Sequence, residues 1–356
     1  MASNNNLNLA AQGKNDEFYT QYDDIQNELN CYYLYDKNFL RGKTVLLPCD
    51  DPQWSNFTKF FTMNFKLYGL KRLISTSYAA EKKKFIYKPM RDLFDDKDLP
   101  QFDCSKDFSH GKIFQLEAAD LAAVNRPLDA LKDSWRYLDG DGDYRSAEVK
   151  ALRDEADVII TNPPFSMFRD FLKWILDAGK QFLIIGNKNC VTYKEVFPLI
   201  MHNKIWSGAR PWTGGMWFVS ANAECVDKVI DGQNFKNSPS IWLTNLEHGK
   251  RHEPLPLMTY EQCEKFHHKL RGVGFQRYDN YDAIEVPATS AIPADYQGVM
   301  GVPITFLDKY CPEQFEIVGL DRYTVPKEFL VGGRVAINGK PTYARILIRH
   351  RRRGDD

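Results

Sequence analysis

The sequence predicts an α/β protein built on a mostly parallel sheet, followed by a C-terminal region of different character. Three observations carry this. Short, continuously apolar runs such as "VLLP", "VIIT" and "FLIIGN" are the mark of strands buried on both faces. Stretches with apolar residues at helical spacing lie between them, and strands separated by helices imply parallel βαβ units. From about residue 245 onward, prolines, tyrosines and isolated apolar pairs replace that alternation.

Taken in order, the opening "MASNNNLNLAAQGKN" lacks the charged-then-apolar order of a signal peptide, and residues 1–14 are expected to be disordered. In "DEFYTQYDDIQNELNCYY", Tyr22, Ile25, Leu29 and Tyr32 fall on one helical face. "KTVLLPCDD" reads as a buried strand stopped by Pro48 and two aspartates. "SNFTKFFTMNF" puts Phe57, Phe60, Phe61 and Phe65 on one face of a helix. "KRLISTSY" is a second strand and "KKFIYK" a shorter third, after which residues 90–140 are irregular and charged, as an insertion would be.

"SAEVKALRDEA" reads as a short helix and "DVIIT" as a strong strand. Ser166 can cap the helix whose stripe is Phe168, Phe171, Leu172, Ile175 and Leu176, with Gly179 just past its end. "QFLIIGN" is another buried strand, and Thr192 to Glu195 has capping-box spacing. "IWSGARPWTGGMWFVS" and "PSIWLTN" read as the last strands of the sheet, and "VAINGKPTYARILIR" as a hairpin around Asn338-Gly339. The expected organisation is one domain over residues 15–245 and a C-terminal region over 246–356.

Hydrophobic residues are 43% and charged residues 26% of the 356, an ordinary globular composition able to bury a core. Lys plus Arg equals Asp plus Glu at 47 each, so net charge neither favours nor excludes a polyanionic partner. Two local basic clusters stand out: Lys82-Lys83-Lys84 with Lys88, and Arg345, Arg349, Arg351, Arg352 and Arg353. Each is read as a solvated face or as a surface for phosphates. Seven cysteines without a Cys-x-x-Cys pair argue against a disulfide framework and for free thiols in a reducing cytosol. His267, His268 and Cys263 complete no metal-ligand spacing. "GDGDYRS" lacks the alternating acids of a calcium loop. No metal site is expected, and no apolar run reaches membrane-spanning length.

In an open parallel sheet, ligands bind at the carboxyl ends of the strands. Two such ends carry unusual chemistry: Asp50-Asp51 after "VLLPC", and Asn162-Pro163-Pro164-Phe165 after "VIIT". The aspartates can accept from a ribose or ammonium group, or simply form a turn or helix cap. The second element offers two acceptors, the Asn162 side-chain carbonyl and the Pro163 backbone carbonyl. Pro164 stiffens the loop and Phe165 adds an aromatic face. A flat heteroaromatic ring would stack on Phe165 while its exocyclic amino group donates both hydrogens to the acceptors. Its lone pair would then be aimed at an electrophile. Such catalysis is positioning and preorganised electrostatics, without a covalent intermediate.

That motif and the blocks "DEFYTQYDDIQNEL", "CDDPQWSNFTKFF", "GDGDYRS", "TNPPFSMFRDFL", "FLIIGN", "TYKEVF", "IWLTNL", "YDNYDAIEV" and "GVMGVPITFL", in this order, resemble the EcoRI-type DNA adenine methyltransferase family from about Asp16 to Arg349. The resemblance implies a Rossmann-like fold with a seven-stranded, mostly parallel sheet and helices on both faces. It implies S-adenosylmethionine as cofactor and a C-terminal target-recognition region. Asn162, Pro163 and Phe165 would hold the target adenine, with Pro164 as stiffener. Asp16, Phe18, Tyr19 and Thr20 would contact the methionine part of the cofactor. Asp50 and Asp51 would form the first-strand cofactor motif, and Asp143 with Tyr144 would meet the cofactor's adenine. Unlike the wider methyltransferase pattern, "CDDPQWSNF" has no glycine and "STSY" carries no acid for the ribose, which leaves Asp50, Asp51 or Asp141 for that task.

The function so implied is transfer of a methyl group to N6 of an adenine flipped out of double-stranded DNA. The C-terminal region and "WTGGMW" would read base edges, and the basic clusters would hold phosphates. The implied protein is a monomeric, cytoplasmic, bacterial or phage-encoded enzyme. It would be solitary or share its site, without a stable complex, with a restriction endonuclease. The alternatives are an RNA adenine methyltransferase and a non-catalytic DNA- or cofactor-binding module. The first would call for an RNA-binding appendage, of which no sign is visible. The second would not need the acceptor pair.

Overall fold

The computed structural model describes residues 18–79, 99–119, 134–220, 226–230 and 232–351. Asp16, "KKFIYK", the lysine cluster, Arg352 and Arg353 lie outside the described residues. The chain divides into two compact units, one of residues up to 188 with 213–246, the other of 189–212 with 247 onward.

The first unit opens with strand β1 (Phe18–Thr20) and helix α1 (Tyr22–Tyr35). Ile25, Leu29 and Tyr32 are buried at their helical spacing, and Glu28 is buried with them, accepting from the Tyr32 hydroxyl at 3.0 Å. Strand β2 (Thr44–Leu47) is buried throughout. Helix α2 (Asn56–Met63) starts at Ser55, whose hydroxyl accepts from the Phe57 amide at 3.0 Å. A short helix α3 (Phe65–Tyr68) leads into β3 (Arg72–Thr76). The residues Phe57, Phe60, Phe61 and Phe65 are all buried, as their spacing requires.

Strands β4 (Lys112–Glu117) and β5 (Arg136–Tyr137) follow, then helix α4 (Ala147–Glu155), β6 (Val158–Thr161), helix α5 (Phe168–Asp177) and β7 (Gln181–Asn187). Helix α6 (Phe197–Met201) and β8 (Trp206–Ser207) fall in the second unit, after which β9 (Met216–Ser220), β10 (Lys228–Ile230), β11 (Gln233–Ser238) and β12 (Ser240–Thr244) complete the first.

Seven strands of the first unit stand side by side in the order β5-β4-β3-β2-β6-β7-β12. The central four, β3-β2-β6-β7, are parallel, and β4, β5 and β12 join antiparallel. The expectation of a mostly parallel sheet therefore holds for the centre and not for the flanks. Residues 90–140, expected as an irregular insertion, supply β4 and β5. The apolar centre of "KIFQLE" is bracketed by Lys112 and Glu117, so no continuous run announced it.

From β2 the chain adds β3 on one side and later returns to add β6 on the other. This reversal makes the β2/β6 junction a topological switch point, the place where ligands bind in such sheets. The β2/β6 ladder pairs Val45 with Val158 and Leu46 with Ile159 and goes no further.

A second, antiparallel sheet runs β1-β9-β11-β10. "MWFVS" thus pairs with "FYT" rather than extending the main sheet, and Phe18 and Tyr19 lie in a strand and not in α1. Two further expectations are corrected. Helix α5 starts after a 3-10 turn over Phe165–Met167, with Met167 and not Ser166 at its N-cap. Thr192 forms no capping box: its hydroxyl donates to the Asn189 carbonyl at 2.9 Å, and the helix begins at Phe197 with Pro198 in its first turn. The Pro198 ring suits a first turn, where no amide partner is needed.

In the second unit, helix α7 (Tyr260–Phe266) carries the capping box, Thr259 with Gln262. Strands β13 (Ala283–Glu285), β14 (Val299–Pro303) and β15 (Phe315–Leu320), helix α8 (Asp321–Thr324), strands β16 (Ala336–Ile337) and β17 (Lys340–Pro341), and β18 (Arg345–His350) follow. One sheet has the order β13-β14-β18-β15. β16 and β17 form the expected hairpin, with Asn338 at φ 51° and Gly339 at φ 70°. Arg345 is no tail residue. Its guanidinium is half-buried and grips the Glu285 carboxylate at 2.6 and 2.9 Å, which engages it within the fold. Arg349 pairs with Glu316 at 2.7 Å on the exposed side. Among the described residues no helix is long and apolar enough to cross a membrane.

Candidate active site

The carboxyl ends of the parallel strands in the first unit gather four loops. Pro48 to Asp51 follows β2, Ser77 to Ala79 follows β3, "TNPPF" ends β6, and "GDGDY" joins them from the β5–α4 connection. The last is tied in by backbone bonds, Ala79 amide to Asp141 carbonyl at 2.7 Å and Gly111 amide to Gly140 carbonyl at 2.9 Å.

Asp50 is turned inward. It is only 5% exposed, and each carboxylate oxygen accepts a hydroxyl: Oδ1 from Ser55 at 2.7 Å, Oδ2 from Thr161 at 2.6 Å. Its amide donates to the Thr76 carbonyl at 2.9 Å, and its own carbonyl accepts from Ser75 Oγ at 2.6 Å. Both oxygens thus face hydroxyls of the fold, and the burial of the side chain argues against its expected contact with a cofactor. Asp51 caps a turn, its Oδ1 accepting from the Gln53 amide at 2.9 Å, and it leads α2 away from β2. Of the two structural alternatives for the pair, Asp51 forms the turn, while the helix cap falls to Ser55.

Burial pushes the Asp50 carboxyl up to about 7, against the pull of its two hydroxyl donors. A carboxyl whose folded value is raised favours folding fully below its unfolded value, near 3.8, and loses that contribution as pH rises through about 7. Relative to Asp50→Asn, wild type should therefore lose about 1.4 kcal/mol of stability per pH unit between about pH 4 and about pH 7. Chemical denaturation of both proteins across that window measures it, and a pH-independent difference would refute it.

Asp143 is likewise engaged. Its carboxylate takes Arg145 in a two-pronged pair, Nε to Oδ1 at 2.9 Å and Nη2 to Oδ2 at 2.5 Å, which holds the carboxyl below its ordinary value. The Tyr144 ring is buried edge-on against Phe171 and Trp174 of α5, at 5.0 and 5.5 Å between ring centroids. Burial pushes its phenol up to about 12. Asp141 Oδ1 accepts from the Asp143 amide at 2.9 Å. Gly142 (φ +79°) packs its α-carbon against the Ser77 carbonyl, leaving no room for a side chain.

In "TNPPF", Thr161 is buried and Asn162 and Phe165 are half-buried. Each proline restrains the residue before it to extended backbone, so Asn162 and Pro163 are both held by sequence alone. The Pro164 carbonyl accepts from the Met167 amide at 3.0 Å, closing the 3-10 turn that carries Phe165. The Phe165 ring meets the buried Phe218 edge-on at 6.3 Å. Phe218 sits opposite Thr20 in the β1/β9 ladder, and the Thr20 carbonyl accepts from Asn56 Nδ2 of α2 at 2.8 Å. One contact chain thus links Thr20, Phe218 and Phe165, and a second links α2, Asp50 and Thr161. Tyr19, half-buried, lies beside Thr20 in β1, opposite Val219. Phe18 pairs with Ser220.

Sequence reasoning missed Ser55, Thr161 and Phe218. Thr161 was within the quoted motif, but nothing local to it says that its hydroxyl faces Asp50. The hydroxyls of Thr20 and Tyr144 are buried and have no hydrogen-bond partner among the described residues. Among the described residues no group of His, Cys, Asp and Glu is placed to hold a metal ion.

A family model described as adenine-specific methyltransferase EcoRI matches residues 6–351. The type II methyltransferase M.EcoRI of Escherichia coli is 39% identical, over 99% of this chain and 98% of its own. M.MpnI of Mycoplasma pneumoniae, also a type II methyltransferase, is 31% identical over 97% of this chain and 98% of its own. M.MgeORF184P of Mycoplasma genitalium is 30% identical over 96% of this chain and 98% of its own. No solved structure matches the chain.

Proposed function

The chain belongs to the EcoRI family of adenine-specific methyltransferases, and from that premise we propose that it methylates N6 of an adenine flipped out of double-stranded DNA at the "TNPPF" loop. The observation that carries this reading is the position of Asn162 to Phe165 at the switch point of the sheet, at the end of a buried strand. The adenine stacks on Phe165, which Phe218 backs, and its amino group donates to Asn162 Oδ1 and to the Pro163 carbonyl. With both hydrogens directed, the nitrogen lone pair is localised and aimed. Stacking also offsets part of the cost of removing the base from the duplex.

The family implies S-adenosylmethionine, and the residues present suit it: two buried hydroxyls, of Thr20 and Tyr144, await a polar partner. When bound, it supplies a methyl group on a sulfonium. Thr20, with Phe18 and Tyr19 beside it, would hold the methionine part, and Asp51 would act through its turn backbone. We retain Asp16 in the same segment as a cofactor contact. Tyr144 would meet the cofactor's adenine edge through its hydroxyl, with Asp143 fixing the loop through Arg145. We read the first unit as a Rossmann-like transferase body and assign target recognition to residues 246–356.

Incubation with labelled S-adenosylmethionine and mixed-sequence duplex DNA should yield N6-methyladenine at a defined site. A solitary modification enzyme and one paired with a restriction endonuclease would label alike. Label entering RNA in preference to DNA, or cofactor binding without transfer to either, would overturn the reading.

A further inference from the structure

We propose that Asp50 is a positioning residue for the adenine clamp, acting through the Thr161 hydroxyl on Asn162, and not a contact to the cofactor. The proposal rests on Asn162 being the amino-group acceptor.

The loop is already restrained at several points. Pro163 holds Asn162 extended and Pro164 holds Pro163 extended, and the turn at Phe165 is closed by the Met167 amide. The clamp leaves the sheet at its root, Thr161. On the β7 side Thr161 is laddered to Ile184. On the β2 side the paired residues end at Leu46 and Ile159, two positions short of Thr161. The Asp50–Thr161 hydrogen bond, 2.6 Å long and buried, spans that gap.

Asp50 is itself held on three other points. Ser55 Oγ donates to its other oxygen, while the Ser55 hydroxyl also accepts from the Phe57 amide. Its amide bonds the Thr76 carbonyl and its carbonyl accepts from Ser75 Oγ, which is within 2.6 Å of Thr58 Oγ1. The ends of β2, β3 and β6 and the start of α2 are thereby joined in one buried network. Once ionised, the side chain accepts from two hydroxyls at once without needing to donate. With a hydroxyl on each oxygen and only 5% of the residue exposed, this side chain is turned into the fold and away from a ligand. A displacement of the clamp by an ångström is enough to lower the rate by about 10²-fold.

The test compares Asp50→Asn, Thr161→Val, the double variant and Thr161→Ser, with Asn162→Ala as reference. Each is measured for single-turnover methyl transfer to duplex DNA and for dissociation of labelled S-adenosylmethionine without DNA. Asp50→Asn and Thr161→Val should each lower the rate by about 10²-fold. The double variant should lose no more than either, because both remove the same link. Thr161→Ser, which keeps the hydroxyl, should stay within about threefold of wild type, and cofactor affinity should change by less than about threefold throughout.

Weakened cofactor binding by Asp50→Asn with an unchanged rate at saturation would make Asp50 a cofactor contact and overturn the proposal. So would a fully active Thr161→Val, or additive losses. If Asn162→Ala itself remains active, the clamp reading fails. If Asn162→Ala is inactive while Thr161→Val and Asp50→Asn are fully active, the positioning role alone fails.

Discussion

Asn162→Ala is expected to lower methyl transfer by about 10³-fold, the scale on which one preorganised polar group supports a transition state. The side chain is half-buried, so its removal opens no large cavity and the thermal midpoint should stay within about 2 °C of wild type. The affinity for S-adenosylmethionine should change by less than about threefold, since the loss falls on the reacting nitrogen and not on cofactor contacts. Single-turnover transfer to duplex DNA and a thermal scan of the same preparation check both halves. An Asn162→Ala protein that transfers at the wild-type rate, or that fails only because it no longer folds, would remove the clamp from the mechanism.

The second large effect is structural. In Gly142→Ala the new methyl would lie 2.1 Å from the Ser77 carbonyl oxygen and 3.2 Å from the Gly111 α-carbon, with φ at +79°. Left-handed backbone costs a residue with a Cβ about 1–2 kcal/mol, and overpacking adds about 1–3 kcal/mol. A loss of about 3 kcal/mol should lower the melting temperature by about 6–12 °C in a chain of this size. Gly140→Ala two residues earlier is the control: its nearest neighbour would be Glu148 Oε2 at 3.6 Å, ordinary contact. Equal effects of the two substitutions would refute the close approach. Because Ser77 and Gly142 join the loops after β3 and before α4, Gly142→Ala should also weaken S-adenosylmethionine binding, which Gly140→Ala should leave intact.

Much of this was legible from the chain itself. The buried strands "VLLP", "VIIT" and "FLIIGN", the phenylalanine face of α2 and the Asn338-Gly339 hairpin are local patterns with local causes. The order of motifs was enough to indicate the family. What failed did so for physical reasons. β4 was hidden because Gln115 breaks its apolar run, which Lys112 and Glu117 bracket. The Thr192 box did not form because a hydroxyl can satisfy a nearby carbonyl as well as an amide. Arg345 read as a free basic residue until Glu285, sixty positions away, claimed it.

The sequence by itself determined that a strand ends in a stiff acceptor-bearing loop, because proline restraint acts between adjacent residues. It also determined which acids stand at the ends of the apolar strands. Only the tertiary structure decided where their carboxylates point. Asp50 and Thr161 are 111 positions apart, and whether a carboxylate faces a ligand or a buried hydroxyl depends on the register of β2 against β6, which no single segment encodes.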